Sequence, residues 1–239
     1  MRWFLAVLMI LAALKAQAQV VQVPYAPLVE ELGRVIDFES FPKYMSPGTR
    51  LDDVQDLDGA SFAERFLGQE VLQDQGFDAL SGAPLAPLTL VPGAPKENLS
   101  VTFYFLISNH LVGNAAPGFP ESRAGGEGAI AALFDINQRA LGFRVAAEPT
   151  PETEPAPPKG RMTVRFYRRD GSLIDELDLA LEWGRAGYGF AMADDSRDIA
   201  GITITNRDPA GIAIDDIVFD AIAVTGVAPG WRIGHQSRG

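Results

Sequence analysis

Two adjacent aspartates, Asp215 and Asp216, interrupt an apolar segment near the end of the sequence. Ile214 precedes the pair and Ile217 follows it at the opposite parity, although side chains alternate between the two faces of a strand. A strand that keeps both isoleucines on its core face needs one extra residue at the aspartates. The pattern therefore predicts a β-bulge, which would re-aim a carboxylate.

A second pair of carboxylates, Asp37 and Glu39, lies two residues apart near the start of the sequence, and therefore on one strand face. If the first and last strands pair, up to four carboxylates meet at one sheet edge, where they repel unless a cation or protons neutralise them. Ca²⁺ accepts carboxylate oxygens at roughly 2.3–2.6 Å, and no histidine or cysteine lies nearby to favour Zn²⁺. We predict a structural Ca²⁺ held by Asp37, Glu39, Asp215 and Asp216; the alternative is that these acids point into solvent.

Aromatic side chains with a polar edge are the usual contacts for sugars. Trp183 and Trp231 are the tryptophans beyond residue 18, and Trp183 has Tyr188 nearby in the sequence. We predict Trp183 and Tyr188 as ligand-binding residues; the alternative is that each ring packs in the core or at its rim.

Evidence for catalysis is weaker. His110 and His235 have no neighbouring nucleophile and no metal-ligand spacing, and no GxSxG motif accompanies them. Asp194 and Asp195 could form a carboxylate pair of the kind glycosidases use, but a polar loop explains them equally well.

The first 18 residues have the three parts of a secretory signal: Arg2, an apolar stretch of about a dozen residues and Ala16-Gln17-Ala18. Such a stretch is shorter than the roughly 20 residues that span a bilayer. Cleavage after Ala18 removes Arg2 and Lys15, which leaves 18 basic against 31 acidic residues, a balance of −13. This charge argues against nucleic acid or an anionic membrane as partner, and we expect an exported, periplasmic or extracellular protein.

Short apolar segments with a period of two, bounded by Gly, Pro, Asn or Asp, predict an all-β protein, an antiparallel two-layer jelly-roll sandwich. The predicted strands are Val35–Phe41, Leu88–Val91, Leu99–Ser108, Ala129–Phe134, Ala140–Ala146, Arg161–Tyr167, Leu173–Leu181, Gly189–Met192, Ile199–Thr205 and Ile212–Val224. Asp170-Gly171 predicts a tight hairpin turn. One short helix is predicted at Ser61–Gln73.

One domain is predicted over residues 34–224, after a lead-in at 19–33 and before a flexible tail at 225–239. The segment 148–159 carries five prolines and three glutamates. It is interpreted as an exposed loop within the domain, with an interdomain linker as the alternative. Because the sequence has no cysteine, stability must come from the core, with help from a metal as an option.

The segments IDFES, beginning at Ile36, and GIAIDDIVFD, beginning at Gly211, resemble the bracketing strands of bacterial secreted jelly-roll modules of the galactose-binding-like type. Many carbohydrate-binding modules share that fold. In that class an acidic residue on the first strand and an Asp on the last commonly join a structural calcium. The resemblance assigns those roles to Glu39 or Asp37 and to Asp215 or Asp216.

The intervening segments are also similar to exported proteins that often carry a C-terminal sorting anchor, but residues 228–239 contain neither a sorting motif nor a hydrophobic anchor. Together these features favour an exported, calcium-stabilised, non-catalytic module that binds carbohydrate. The alternatives are a structural or adhesive envelope protein that contacts other proteins and, more weakly, a secreted hydrolase.

Overall fold

The computed structural model describes residues 19–104, 107–121, 124–147 and 160–220. Its helix, α1, spans Tyr25–Glu31. Its strands are β1 (Val20–Val23), β2 (Arg34–Ile36), β3 (Thr49–Leu51), β4 (Gln55–Leu57), β5 (Ala60–Ala63), β6 (Arg65–Phe66), β7 (Glu70–Asp74), β8 (Phe77–Ser81), β9 (Leu90–Val91), β10 (Leu99–Tyr104), β11 (Ser108–Gly113), β12 (Ile130–Gln138), β13 (Ala140–Ala147), β14 (Arg161–Tyr167), β15 (Leu173–Ala180), β16 (Gly184–Met192), β17 (Ile199–Asn206) and β18 (Ile212–Phe219).

Two antiparallel sheets form the body of the protein. The larger sheet has the order β1-β16-β13-β18-β11-β10-β3, with β2 also paired to β18, and the smaller sheet has the order β15-β14-β17-β12-β5-β4. Two further pairs, β6 with β9 and β7 with β8, lie outside these sheets. From β12 onward the chain passes repeatedly from one sheet to the other, as in a jelly roll. The predicted all-β sandwich is confirmed.

Aromatic rings from both sheets meet in the core between them. Phe190, on the larger sheet, lies with its ring centroid 5.6 Å from Phe143 of the same sheet and 5.2 Å from Phe166 of the smaller sheet. All three side chains are fully buried. Because buried aromatic area stabilises strongly and the sequence has no cysteine, this core provides the main force that holds the sheets together.

The predicted hairpin at Asp170-Gly171 is present. It joins β14 to β15, which pair with Met162 opposite Leu179 and Val164 opposite Leu177. Gly171 has φ +83°, which a residue with a side chain rarely adopts, and Asp170 Oδ1 accepts a hydrogen bond from the Ser172 amide at 2.9 Å.

The helix predicted at Ser61–Gln73 is wrong. This segment contains β5, β6 and the first residues of β7. Phe62 pairs with Ala132 of β12 and is fully buried, and Gly68 at φ +95° turns the chain before β7. Pairing with a central strand overrides a weak helical pattern, because the pairing buries the apolar side chains.

The helix of the structure lies instead within residues 19–33, which the sequence suggested were only a lead-in. In this region β1 pairs with β16 at the edge of the larger sheet, and α1 packs Tyr25 and Leu28 against that sheet's outer face. Tyr25 fits because Gly142 and Gly187 lie beneath it: a Cβ there would come within 2.8 Å and 2.6 Å of the Tyr25 ring. A helix of seven residues depends on such packing for its stability.

The predicted signal at residues 1–18, the proline-rich segment 148–159, the tail at 225–239, Trp231 and His235 lie outside the described residues. These predictions therefore stay predictions. Among the residues that the structure does describe, no helix is long and apolar enough to cross a bilayer.

Candidate functional site

The bulge predicted at Asp215 and Asp216 is present. Gly142 of β13 pairs with Val218 and Arg144 pairs with Asp215, so one residue of β13 lies opposite two residues of β18. Asp216 takes the positive φ of +46°. The residues on either side of the aspartates, Ile214 and Ile217, both reach the core, as the change in parity required.

The first carboxylate pair is brought to the same region because β2 pairs with β18, with Ile36 opposite Ile217. Asp37 Oδ1 accepts a hydrogen bond from the Glu39 amide at 3.1 Å. Glu39 Oε1 accepts one from the Asn109 amide at 2.8 Å, and its Oε2 lies 2.9 Å from Lys43 Nζ. Both carboxylates of this pair therefore already have partners in the protein.

Asp215 lies on the outer face of the larger sheet and is 0 % exposed. Its Oδ2 accepts a hydrogen bond from Ser108 Oγ at 2.9 Å and contacts the Arg185 guanidinium, while its Oδ1 accepts the Asp216 amide at 2.8 Å. His110 Nε2 is 3.8 Å from Oδ2. Burial raises the pKa of Asp215 to about 6, with a smaller contribution from the charge of Asp216.

A partly exposed layer covers Asp215. Asp216 Oδ2 lies 3.0 Å from Arg144 Nε and 3.1 Å from an Arg185 terminal nitrogen. The Arg144 guanidinium also lies 5.1 Å from the centre of the Tyr25 ring, whose hydroxyl donates to the Asp216 carbonyl at 2.7 Å. We call Ser108, His110, Arg144, Arg185, Asp215 and Asp216 the arginine–aspartate cluster. Two guanidinium groups thus neutralise the two aspartates.

This arrangement does not fit the predicted calcium. Ca²⁺ needs six to eight oxygen ligands around one point. Over the parts of the chain that the structure describes, no group of three or more acidic, histidine or cysteine side chains could hold a metal ion. The oxygens of the four predicted ligands point to different protein donors, and the two arginines occupy the place where a cation would be needed.

We therefore expect chelation of the protein, followed by added Ca²⁺, to change the thermal unfolding midpoint by less than about 1 °C, because a ligand stabilises a fold only if it binds the folded state. Differential scanning fluorimetry with EGTA and with millimolar CaCl₂ would measure this. A calcium-dependent rise of several degrees that Glu39→Gln abolishes would restore the metal site.

The two predicted aromatic ligands differ in their placement. Trp183 lies between β15 and β16 and is 46 % exposed, so its ring is available for contact. Tyr188 lies in the core, which is the alternative placement considered for it: it is 4 % exposed, packs near Phe143, and its hydroxyl accepts a hydrogen bond from the Glu182 amide at 3.0 Å. The even positions of β16 face the core, and Tyr188 shares that face with Phe190.

His110 and Asp194, which were considered for catalysis, make contacts that support the fold. His110 lies within β11 and is buried, and this burial lowers its pKa. Ser108 Oγ donates its hydrogen bond to Asp215 Oδ2, and His110 Nδ1 lies 3.0 Å from the Ser108 carbonyl oxygen. Asp194 accepts a hydrogen bond from the Ser196 amide at 3.1 Å, as expected for a polar turn.

A second group of ionisable residues was missed because the false helix at Ser61–Gln73 concealed it. Glu64 and Asp78 are buried beside a cavity of about 470 Å³. Burial raises the pKa of Glu64 to about 7, although Arg65 beside it acts in the opposite direction. Burial likewise raises the pKa of Asp78 to about 6. For Asp78, an acid within the strand Phe-Asp-Ala-Leu-Ser of β8 was the available signal.

Asp78 does not complete an acid–base pair with Glu64. Its Oδ2 accepts a hydrogen bond from the Ala129 amide at 3.0 Å, and its Oδ1 accepts one from Gln73 Nε2. The bond from Ala129 attaches the β7–β8 hairpin to the turn before β12, and the bond from Gln73 of β7 lies within the hairpin. Of these two acids, Glu64 is the one with a carboxylate oxygen that can bond to a ligand in the cavity.

Compared with known proteins, the sequence matches no family model and no curated protein. Among solved structures, a mutant of CBM29-2, a family 29 carbohydrate-binding module, aligns with 55 % of this chain and 83 % of its own, at 14 % identity and a TM-score of 0.31. Likeness at this level does not transfer a ligand, so the function must be argued from the site itself.

Proposed function

We propose that this protein is an exported, non-catalytic binding module that holds a saccharide on the outer face of the larger sheet, at the arginine–aspartate cluster. The observation that carries the proposal is the partly exposed layer formed by Arg144, Arg185 and Asp216. Export rests on the signal pattern of residues 1–18.

The chemistry of this layer matches that of a sugar hydroxyl. Guanidinium groups donate hydrogen bonds in a fixed plane, and the Asp216 carboxylate accepts them, whereas a hydroxyl both donates and accepts. Vicinal hydroxyls of a pyranose can therefore bridge Asp216 and one arginine. The buried layer beneath, Asp215 with Ser108, holds Arg185 in place before the ligand arrives, which reduces the entropy lost on binding.

Trp183 supplies the apolar part of the surface. It lies two residues before Arg185, and its partly exposed ring can pack against the C–H face of a sugar.

We expect Trp183→Ala to weaken saccharide binding about tenfold or more, in line with the energetics of a central aromatic contact. A glycan array with the mature protein would identify the ligand, and isothermal titration calorimetry would compare the variant with Arg144→Ala. Tyr44→Ala, which removes another exposed ring, is the matched control and should bind as the wild type does. Loss of binding in the control but not in Trp183→Ala would place the site elsewhere.

One observation favours the second candidate, an envelope protein that contacts other proteins. Tyr44 and Met45 are adjacent and are 60 % and 62 % exposed, in a loop joined to β10 by the hydrogen bond from the Phe103 amide to the Tyr44 carbonyl at 2.8 Å. Exposed apolar neighbours on an anchored loop are typical of protein contacts. A glycan array without any hit, combined with partner capture that Tyr44→Ser abolishes, would favour this candidate.

A further inference from the structure

The cavity beside Glu64 lies between the β7–β8 hairpin, β6 and the loop that follows β9, away from the arginine–aspartate cluster. Its volume of about 470 Å³ is in the range of small-molecule sites. The lining contains four carboxylates and one guanidinium, together with amides and small apolar side chains: Glu64, Arg65, Gln69, Glu70, Val71, Gln73, Asp78, Ala94, Glu97 and Ala116.

Glu64 has one oxygen without a protein partner. The residue is 4 % exposed, and Arg65 contacts its Oε2. Across the described residues, Oε1 makes no hydrogen bond, and it lies over Gly93, where a Cβ would come within 2.6 Å of it. Oε1 does not count among the buried side-chain oxygens without a partner, so it is reached from the cavity, where an N–H donor of a ligand can bond to it.

The lining favours a cation over the other ligand classes. It contains no aromatic ring on which a sugar could stack, and its carboxylates outnumber its one guanidinium. A metal ion is disfavoured, since the acids within the described ranges are not gathered around one point. An ammonium group needs only about three acceptors and tolerates wider spacing. Val71, Ala94 and Ala116 offer apolar contacts for methylene groups next to the carboxylates.

We propose that this cavity binds a small aliphatic amine, whose ammonium group donates to Glu64 Oε1 while its methylene groups pack against Val71, Ala94 and Ala116. Glu97 and Glu70, which lie nearer to solvent than Glu64, attract the cation, and a second ammonium group of a diamine pairs with them.

Binding is coupled to proton release. The charged groups that face Glu64 are Arg65, Asp78 and Glu97, and with them the pKa of Glu64 is about 7. A bound ammonium lowers this pKa, because an opposite charge favours the ionised carboxylate. At pH 7 about half of the Glu64 side chains carry a proton, so each bound amine should release about half a proton from this residue.

Isothermal titration calorimetry of the mature protein with 1,4-diaminobutane tests the proposal. At pH 7, titrations in buffers of different ionisation enthalpy should show the release of about half a proton per site, falling towards zero at pH 9. Glu64→Gln should weaken binding at least tenfold and remove the proton release. 1-Butanol and tetramethylammonium should not compete, since one lacks the charge and the other lacks N–H donors.

Two variants distinguish binding of the diamine in this cavity from its non-specific attraction to an acidic protein. Glu176→Gln removes one charge from the partly exposed pair with Arg165 and should bind the diamine as the wild type does. Ala94→Phe, at an exposed position of the lining, should block the cavity and abolish binding while Glu64 is intact. No binding at millimolar diamine, or equal weakening by Glu64→Gln and Glu176→Gln, would overturn the proposal.

Discussion

Raising the pH from about 4.5 to about 8 should destabilise this protein by several kcal/mol. Five carboxyl groups have raised pKa values in the folded state, chiefly because they are buried: Glu64 and Glu127 at about 7, Asp78 and Asp215 at about 6, and Asp208, whose pKa is also raised. A raised pKa means that the folded state holds protons that the unfolded state has already lost. The stabilisation is therefore complete below the unfolded pKa and is lost as the pH rises through the folded pKa.

Glu64 alone contributes a large part of this loss of stability. Its pKa rises from 4.5 to about 7, and each pKa unit corresponds to about 1.4 kcal/mol, which gives about 3 kcal/mol between these two pH values. His110 acts in the opposite direction because burial lowers its pKa, but it is one group against the five carboxyl groups. Glu39, whose pKa is lowered, exerts its effect at more acidic pH.

Urea unfolding followed by tryptophan fluorescence and circular dichroism between pH 4.5 and 8 measures the effect. The free energy of unfolding of Glu64→Gln should equal that of the wild type near pH 4.5. At pH 8 it should exceed the wild-type value by about 1–3 kcal/mol, because the neutral amide removes a buried charge. Glu176→Gln, which is partly exposed, should leave the pH dependence unchanged. A wild-type stability that rises with pH over this window would contradict the raised pKa values.

Removal of Arg185 should have the second large effect. Arg185→Ala leaves the fully buried Asp215 without its cation, and an uncompensated buried charge costs about 3–5 kcal/mol. Because Arg185 is itself partly exposed, we expect about 2–3 kcal/mol at pH 8. The loss should be smaller at pH 5, where Asp215 takes up a proton instead.

A double-mutant cycle shows whether the loss of stability in Arg185→Ala comes from the charge of Asp215. With Asp215→Asn present, Arg185→Ala should cost less than about 1 kcal/mol, since no charge remains to be compensated. Arg161→Ala is the matched control, because its partner Asp178 is exposed and such surface pairs contribute about 0–1 kcal/mol. An equal cost of Arg185→Ala with and without Asp215→Asn would show that the guanidinium acts through packing alone.

Local patterns in the sequence predicted several features of this fold. The change in parity between Ile214 and Ile217 specifies a bulge because the alternation of side chains leaves no other way for both to reach the core. Asp170-Gly171 specifies a hairpin because the turn needs positive φ. Such signals need only neighbours in the chain, and the two-layer sandwich follows from many of them together.

Other features depended on contacts between distant parts of the chain. Ser61–Gln73 is strand and turn because β12 pairs with Phe62. Tyr188 is buried because its face of β16, which it shares with Phe190, packs in the core between the two sheets.

The neutralisation of Asp215 and Asp216 also depends on contacts between distant parts of the chain. The sequence by itself determined that Asp215 and Asp216 need a bulge, and it left as a condition that the first and last strands pair, which the structure shows. Only the tertiary structure supplied Arg144 and Arg185 as their partners, because β13 and β16 are brought beside β18 by strand pairing rather than by sequence proximity. Burial acts likewise: Glu64 has a raised pKa because folding surrounds it with residues far away in the chain, which no local pattern reports.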